Sequence, residues 1–147
     1  MRWKPNVTVA GIAEQSGRFL LVEERTADGV RLNQPAGHLE DGETLLRAVE
    51  REVLEETTCR FTPQALVGVY QWREAAGART FMRFSFAGTV APADTSLCLD
   101  DGIERTVWMT RDEIAAAGHR YRSPWVLIRI DDYLAGRRMP LDLIRTL

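Results

Sequence analysis

Short apolar runs separated by turn-forming residues predict strands in the first third of the chain. Residues Val7–Ala13 (VTVAGIA) and Phe19–Glu24 (FLLVEE) flank a Ser-Gly pair, as the two arms of a β-hairpin would. An Asp-Gly pair marks a further turn before the short apolar stretch Val30–Leu32. Proline and glycine interrupt the next segment, NQPAGH (33–38), which is therefore predicted to be irregular or to lie at a strand edge.

The rest of the chain alternates between helix and strand patterns. A helical periodicity begins at Glu43, and a glycine-containing hairpin loop (74–78) separates the next two β-rich runs. Strands with helices inserted at three points predict an α/β fold, in which helices sandwich a mixed sheet, and 147 residues suit a single domain (1–147). The remaining predicted elements are strands at Ala65–Trp72, Thr80–Val90 and Thr106–Met109, a small helix at Arg111–Ala117, and a final helix from Ser123-Pro124 to about Ala135.

Composition and charge exclude several classes of protein. The net charge is −2 and no basic block occurs, which argues against general electrostatic binding to nucleic acid. No stretch resembles a membrane span or a cleavable signal peptide. Cys59 and Cys98 form no metal-type motif and suggest no disulfide framework, so a reduced, cytoplasmic setting is expected.

The predicted helix after Glu43 concentrates glutamates in its last two turns. Like charges three or four residues apart destabilise a helix by about 0.2–0.5 kcal/mol per pair. At about 100° per residue, three of the carboxylates fall on one stripe beside an apolar stripe that can pack on the sheet. Asp41 is predicted to cap the helix. The apolar stripe is Leu46, Val49 and Val53, and the acidic stripe is Glu52, Glu55 and Glu56.

The acidic stripe has two interpretations. Oxygen-rich clusters suit hard divalent cations, Mg²⁺ first and Mn²⁺ second, whose charge would offset the repulsion. Alternatively, the stripe is a solvated acidic face without a ligand, because charged helix faces are common. Arg51 lies one turn from Glu55 and could hold part of the cluster by an ion pair. Spacing alone leaves both interpretations open.

The stretch GHLEDGETLLRAVEREVLEETTC resembles the Nudix box. That pattern is Gly, five residues, Glu, seven residues, Arg-Glu, an aliphatic residue, any residue, Glu-Glu, any residue, Gly and an aliphatic residue. A β-branched threonine replaces the family's second glycine and disfavours the left-handed conformation, so the helix is predicted to end differently here. The matching positions are Gly37, Glu43, Arg51, Glu52, Val53, Glu55 and Glu56, followed by Thr58 in place of glycine and then Cys59.

This resemblance implies a hydrolase of phosphoanhydride bonds on an α/β/α sandwich. It implies a divalent cation, Mg²⁺ with Mn²⁺ as substitute, because the phosphates repel hydroxide and must be screened. Glu52 and Glu56 are the implied main metal ligands, with Glu55 and the Gly37 carbonyl beside them. Glu52 is alternatively the general base, a role that sequence does not separate from metal binding.

The same resemblance assigns supporting roles. Arg51 would orient the glutamates and so belong to the catalytic group with Glu52 and Glu55, while Glu43 would brace the junction of loop and helix. Some family members recruit another acidic residue from outside the box. The candidates precede the strand at 106–109 and are Asp100, Asp101 and Glu104. Glu104 is the preferred candidate, and the alternative is that these residues form a solvated acidic turn.

Beyond the box, segments along nearly the whole chain resemble family enzymes that remove a terminal phosphate. Those enzymes act on nucleoside di- and triphosphates and on the thiamine precursor hydroxymethylpyrimidine pyrophosphate, and need Mg²⁺. The supporting stretches, in order, are NVTVAGI, FLLVEE, NQPAGHLEDGETL, YQW, FMRFSFAG, VW followed by DEI, RSP and GRRMPLDLI.

Candidate substrate contacts follow from residue chemistry. Trp72 or Tyr70 could stack on a flat ring, although core packing is the commoner fate of a strand aromatic. Amide side chains could bond ring edges, and arginines could hold phosphate oxygens. The amide candidates are Gln34, Gln71 and Asn33, and the arginine candidates are Arg83 and Arg122.

Other functions remain as alternatives. A Nudix hydrolase of ADP-ribose, a dinucleoside polyphosphate or a damaged nucleotide would keep the chemistry and change the substrate. A non-catalytic nucleotide-sensing module would be expected to lose box glutamates, and here all of them are present. An RNA-decapping enzyme should carry a basic groove, which the charge does not support. The expected partner is a small phosphorylated molecule, and the protein is expected to be a monomer or a homodimer.

Overall fold

The computed structural model describes all 147 residues, as seven strands and three α-helices. Two short 3₁₀ turns, at 118–120 and 141–143, complete the regular structure. None of the α-helices combines the length and the hydrophobicity that a membrane-spanning helix needs. In chain order the elements are β1 (Asn6–Gln15), β2 (Arg18–Thr26), β3 (Gly29–Asn33), β4 (Ala36–His38), α1 (Leu45–Thr57), β5 (Phe61–Arg73), β6 (Thr80–Val90), β7 (Ile103–Thr110), α2 (Arg111–Ala116) and α3 (Val126–Leu134).

The strands form one mixed sheet with the order β3-β2-β1-β6-β5, in which β4 also pairs with β1 and β7 with β2. Only β1 and β6 run parallel, and every other pair is antiparallel. The predicted hairpin between β1 and β2 is present, and its turn residues Ser16 and Gly17 both have positive φ, as a tight hairpin turn requires. The irregular segment predicted at 33–38 contains the short strand β4.

Helices cover both faces of the sheet, which confirms the α/β/α sandwich. Neighbouring residues of a strand point to opposite faces, so β1, β2 and β6 each contribute to two cores. The core under α1 consists of Val9, Ala13, Leu20, Ala48, Val49, Val53, Phe61, Leu66 and Phe86. The core under α2 and α3 consists of Ile12, Phe19, Leu21, Val67, Ala87, Ile114, Val126 and Ile130.

The N-terminus of α1 differs from the prediction. Thr44, not Asp41, is the cap, because its hydroxyl oxygen accepts the Arg47 N–H (3.1 Å). Glu43 lies outside the helix, where its carboxylate accepts the Glu40 N–H (2.9 Å). The helix therefore begins two residues later than the helical periodicity indicated.

Thr58 terminates α1 in the left-handed conformation, with φ 60° and ψ 11°, so the prediction of a different helix end was wrong. The Thr58 N–H donates to the Leu54 carbonyl (2.8 Å), which satisfies one of the last carbonyls of the helix. A β-branched residue is strained in this conformation. The hydrogen bond that closes the helix therefore outweighs the preference of threonine for negative φ.

Replacing Thr58 by glycine is expected to relieve this strain. Thr58→Gly and Thr58→Ala remove most of the same largely buried side chain, but only glycine adopts positive φ without a steric cost. We expect the glycine variant to be more stable than the alanine variant by about 1 kcal/mol, or about 3 °C in Tm. Thermal unfolding of both variants measures this difference, and equal Tm values would show that the helix end carries no strain.

Candidate active site

Arg51 is the hub of the site that α1 presents. Its Nε and Nη2 donate to the two carboxylate oxygens of Glu43 at 2.6 and 2.9 Å. Its Nη1 donates to Glu52 (2.8 Å) and Glu55 (3.2 Å), and Nη2 also donates to the His38 carbonyl (3.0 Å). One guanidinium thus ties the loop before α1 to two glutamates of the helix. This geometry fits the orienting role expected of Arg51 and the bracing role expected of Glu43.

Gly37 lies where the sheet meets α1. It pairs with Val9 across the ladder between β4 and β1, and the Glu52 carboxylate packs directly against its Cα. A Cβ at this position would overlap that carboxylate. The first glycine of the box is therefore required for the close approach of a carboxylate to the backbone.

Glu56 is the most buried carboxylate of the site, at 5 % exposure. One of its oxygens accepts the Ala36 N–H (3.2 Å), while Oε2 is buried without a partner. Burial, together with the nearby Glu24 carboxylate, raises the pKa of Glu56 to about 9. Burial also raises the pKa of Glu52, against the opposing hydrogen bond from Arg51.

These carboxylates line an open cleft of about 490 Å³, here called the acidic cleft. Its far wall is the loop before β7, which is tied to both sides of the cleft. The Asp100 N–H donates to the Glu55 carbonyl (2.8 Å), and the Arg25 N–H donates to the Gly102 carbonyl (2.8 Å). The charged residues lining the cleft are Glu24, Arg25, Glu40, Arg51, Glu52, Glu55, Glu56, Asp100 and Asp101.

The preferred extra acid, Glu104, does not lie in the acidic cleft. Its carboxylate accepts a hydrogen bond from Arg25 (2.6 Å) in an exposed ion pair, and its role as an extra acid stays a prediction. Asp100 lines the cleft instead, as does Glu24, which the sequence analysis missed. Glu24 ends the predicted strand Phe19–Glu24. The only sequence signal was a second acidic residue after Glu23.

The donor set of the acidic cleft suits a hard divalent cation. The acidic side chains of the cleft offer oxygen atoms, which hard cations prefer as ligands. The unpartnered Oε2 of Glu56 is a buried acceptor that a cation would satisfy. No group of three or more acidic, His or Cys side chains has the arrangement of a bound metal ion, and Glu52 and Glu55 are hydrogen-bonded to Arg51. The predicted ligands Glu52, Glu55, Glu56 and Gly37 are thus neighbours, and their coordination stays a prediction.

A second hollow, of about 600 Å³, adjoins the acidic cleft and is here called the aromatic cavity. The two share Glu24, Ala36, Gly37 and His38. The cavity is bounded by the ends of β5 and β6, the hairpin loop between them and the segment before α3. Its other lining residues are Thr8, Asn33, Trp72, Arg73, Glu74, Ala75, Ala76, Arg79, Phe81, Arg83, Arg122, Ser123, Pro124 and Trp125.

Three of the candidate substrate contacts line the aromatic cavity, namely Trp72, Arg83 and Arg122. Another candidate, Gln34, is fully buried, and its amide donates to the Val126 carbonyl (2.9 Å). It therefore supports the packing of α3 and has no surface for a substrate, which makes that assignment wrong.

Of the three remaining candidate contacts, Asn33, Tyr70 and Gln71, only Asn33 lines the aromatic cavity. The hydroxyl of Tyr70 donates to Asp132 (2.8 Å), and Gln71 is exposed outside the cavity. Phe81 and Trp125 line it but were not singled out from the sequence. Their patterns, a strand aromatic and a Ser-Pro-Trp helix start, are indistinguishable from those of ordinary packing residues.

Comparison with known proteins agrees with the box geometry. The family model described as NUDIX domain matches residues 2–126. The chain belongs to the Nudix family. Phosphatase NudJ of Escherichia coli (strain K12) is 39% identical over 142 residues, which cover 97% of this chain and 92% of that protein. With its arginine and glutamates in place, this Nudix chain is a pyrophosphohydrolase, and enzymes of this family use divalent metal ions.

Solved Nudix structures share the fold over nearly the whole chain. A NUDIX hydrolase from Nitrosomonas europaea is 48% identical and superposes with a TM-score of 0.95, covering 98% of each chain. A MutT NUDIX hydrolase from Burkholderia pseudomallei superposes with a TM-score of 0.75 at 20% identity, covering 88% of this chain and 98% of that one. The second likeness supports the Nudix fold alone.

Replacing Gly37 by alanine is expected to disable the Nudix site while leaving the fold intact. The added Cβ would overlap the Glu52 carboxylate, which ends a side chain that can swing away. We expect kcat to fall by about 10²-fold, the order seen when one charge-stabilising group is misplaced. Gly118→Ala is the control, because a Cβ there meets only Tyr121 at ordinary contact distance. Steady-state kinetics and circular dichroism of both variants test this, and unchanged kcat in Gly37→Ala would contradict it.

Proposed function

We propose that this Nudix enzyme is a Mg²⁺-dependent hydrolase that removes the terminal phosphate from nucleoside di- and triphosphates and from hydroxymethylpyrimidine pyrophosphate. The observation that carries the proposal is the continuity of the acidic cleft with the aromatic cavity through Glu24, Ala36, Gly37 and His38. A diphosphate at the cleft would place its attached ring in the cavity. The 39% identity to phosphatase NudJ over most of both chains supports the same substrate class.

The protein residues would divide the work at the cleft. Glu52 and Glu56 would hold the cation, with Glu55 and the Gly37 carbonyl beside them. A bound divalent cation screens phosphate oxygens and makes a water molecule more acidic. Arg51 would keep Glu52 and Glu55 aimed into the cleft, because its guanidinium bonds both carboxylates at 2.8 and 3.2 Å. Glu43, bonded twice to the same guanidinium, would limit its freedom to turn away.

Residues of the aromatic cavity would bind the rest of the substrate. Arg83 and Arg122 would donate to oxygen atoms of the phosphates or the ring, as arginine forks do in anion sites. Arg122 is oriented by Glu24, whose carboxylate lies 3.5 Å from its Nε. Because Glu24 lines both hollows, it would link the position of Arg122 to the acidic side of the site.

The proposed activity is tested by the products that purified protein releases with Mg²⁺. The substrates would be hydroxymethylpyrimidine pyrophosphate, nucleoside di- and triphosphates, ADP-ribose and diadenosine tetraphosphate. Removal of a terminal phosphate gives orthophosphate. Internal attack gives pyrophosphate from a nucleoside triphosphate, two monophosphates from ADP-ribose, and two nucleotides that share the four phosphates from diadenosine tetraphosphate. We expect orthophosphate from the first two classes, and its loss in Glu52→Gln.

Turnover confined to ADP-ribose or the dinucleotide would keep the Nudix chemistry and overturn the proposed substrate. Equal rates with and without divalent cation would overturn the role given to the acidic cleft. Replacing Mg²⁺ by Mn²⁺ or Ca²⁺ in the same assay identifies which ion supports the rate.

A further inference from the structure

The aromatic cavity contains three aromatic side chains, two of which contact each other. Trp72 and Phe81 are paired across β5 and β6 and stack with ring centroids 5.1 Å apart and planes inclined by 13°. Two guanidinium groups also approach the Trp72 ring, that of Arg129 at 4.9 Å and that of Arg83 at 5.4 Å. The Phe81 ring is likewise approached by Arg79 at 5.5 Å. Side chains of the protein itself therefore occupy the π-faces that Trp72 and Phe81 would offer a ligand.

Trp125 differs from these two rings. It lines the cavity with 39% of its surface exposed, and it has no aromatic or guanidinium partner. Its backbone is nevertheless fixed, since its N–H donates to the Ser123 hydroxyl (3.4 Å) and its carbonyl accepts the Arg129 N–H (3.4 Å). Proline 124 precedes it and restricts the chain further. Trp125 thus has a fixed backbone, and its indole ring lines the cavity without a stacking partner from the protein.

Arg83 provides the cavity with an uncommitted donor. The residue is only 8% exposed, yet it lines the cavity. Its Nε donates to the Thr8 hydroxyl (3.2 Å), while no carboxylate lies within ion-pair distance of it. Burial lowers its pKa to about 10, which still leaves it a cation at neutral pH. The Glu24 and Glu56 carboxylates act on Arg83 only from beyond ion-pair distance, and a buried cation without a direct partner is costly unless a ligand supplies the acceptor.

We propose that Trp125 is the platform on which the flat heteroaromatic ring of the substrate stacks, with Arg83 donating to an acceptor atom of the same ligand. This inference rests on the proposed function, in which the diphosphate occupies the acidic cleft. It replaces Trp72 and Tyr70, the two stacking candidates from the sequence, by a residue from the start of α3. The ligand class is a planar ring that carries a diphosphate, and a diphosphate on an aliphatic chain lacks the ring that Trp125 binds.

The kinetic test compares a substrate that has a ring with one that does not. Stacking of a base on an aromatic side chain corresponds to about 5- to 150-fold in affinity. We expect Trp125→Ala to raise KM for GTP by about that factor with kcat little changed, and Trp125→Phe to restore most of the loss. KM for inorganic tripolyphosphate should stay unchanged in both variants. Trp3→Ala is the matched control, because Trp3 is exposed and lines neither hollow.

A binding measurement separates this inference from the proposed function. Calorimetry with guanylyl imidodiphosphate and with imidodiphosphate needs no turnover, because the imido bridge resists hydrolysis. We expect Trp125→Ala to weaken only the guanylyl compound. Absence of hydrolysis with this binding pattern retained would overturn the proposed activity and keep the stacking role. Equal weakening of both compounds, or of neither, would overturn the stacking role even if hydrolysis is observed.

Discussion

Replacing Glu56 by glutamine is expected to lower the metal-dependent rate of hydrolysis by at least about 10²-fold. Glutamine keeps the shape of the side chain and the acceptor for the Ala36 N–H (3.2 Å). It removes the negative charge that the buried and unpartnered Oε2 would offer a cation. Because a neutral amide binds hard cations far more weakly than a carboxylate, the loss should appear in kcat and in the metal concentration needed for half-maximal rate.

Glu50→Gln is the matched control for this prediction. Glu50 lies on the same helix, but its carboxylate pairs with Arg47 at 3.1 Å and lines neither hollow. The same change in charge should therefore leave kcat and the metal dependence within about twofold, because surface substitutions have small effects. Equal losses in the two variants would show that the net charge of α1, and not a site at Glu56, controls the rate.

The box was predictable because its residues are local. Arg51, Glu52, Glu55 and Glu56 lie within two turns of one helix, so helical geometry alone brings them together. The strands and the hairpin between β1 and β2 were predictable for a similar reason, since neighbouring residues decide turns. Gly37 is farther away, and its position against Glu52 could be expected only from the family pattern.

The remainder of the site depends on tertiary packing. Glu24 reaches the acidic cleft from β2, and Asp100 reaches it from a loop held by the Glu55 carbonyl. Glu104 was preferred over Asp100 because acidic residues a few positions before such a Trp recur in the family, and sequence position cannot show that Arg25 pairs with Glu104. Gln34 was a candidate substrate contact because its amide could hydrogen-bond the edge of a ring. Here it is buried under α3, a packing contact between residues far apart in the chain.

The metal-free protein is expected to lose stability as the pH rises from about 5 to 9. Burial and the Glu24 carboxylate raise the pKa of Glu56 from an ordinary 4.5 to about 9, so the folded state keeps a proton that the unfolded chain releases. The free energy of unfolding then falls with pH by up to about 1.4 kcal/mol per unit across this range. The raised pKa of Glu52 acts in the same direction. The lowered pKa values of Glu23 and Glu43 affect stability only in more acidic solution.

The change in the free energy of unfolding with pH is measured by denaturant titrations at intervals from pH 5 to 9, with a metal chelator in the buffer. In Glu56→Gln the slope should be much smaller, and the variant should exceed the wild type by about 2–4 kcal/mol at pH 8, since its folding requires no proton uptake at this position. Mg²⁺ binds only the ionised carboxylate, so it should stabilise the wild type more at pH 8 than at pH 6 and have little effect on the variant. Equal slopes in wild type and variant would mean that Glu56 is ionised in the metal-free fold. The charge that a cation would have to neutralise would then be balanced by protein groups other than the Ala36 N–H.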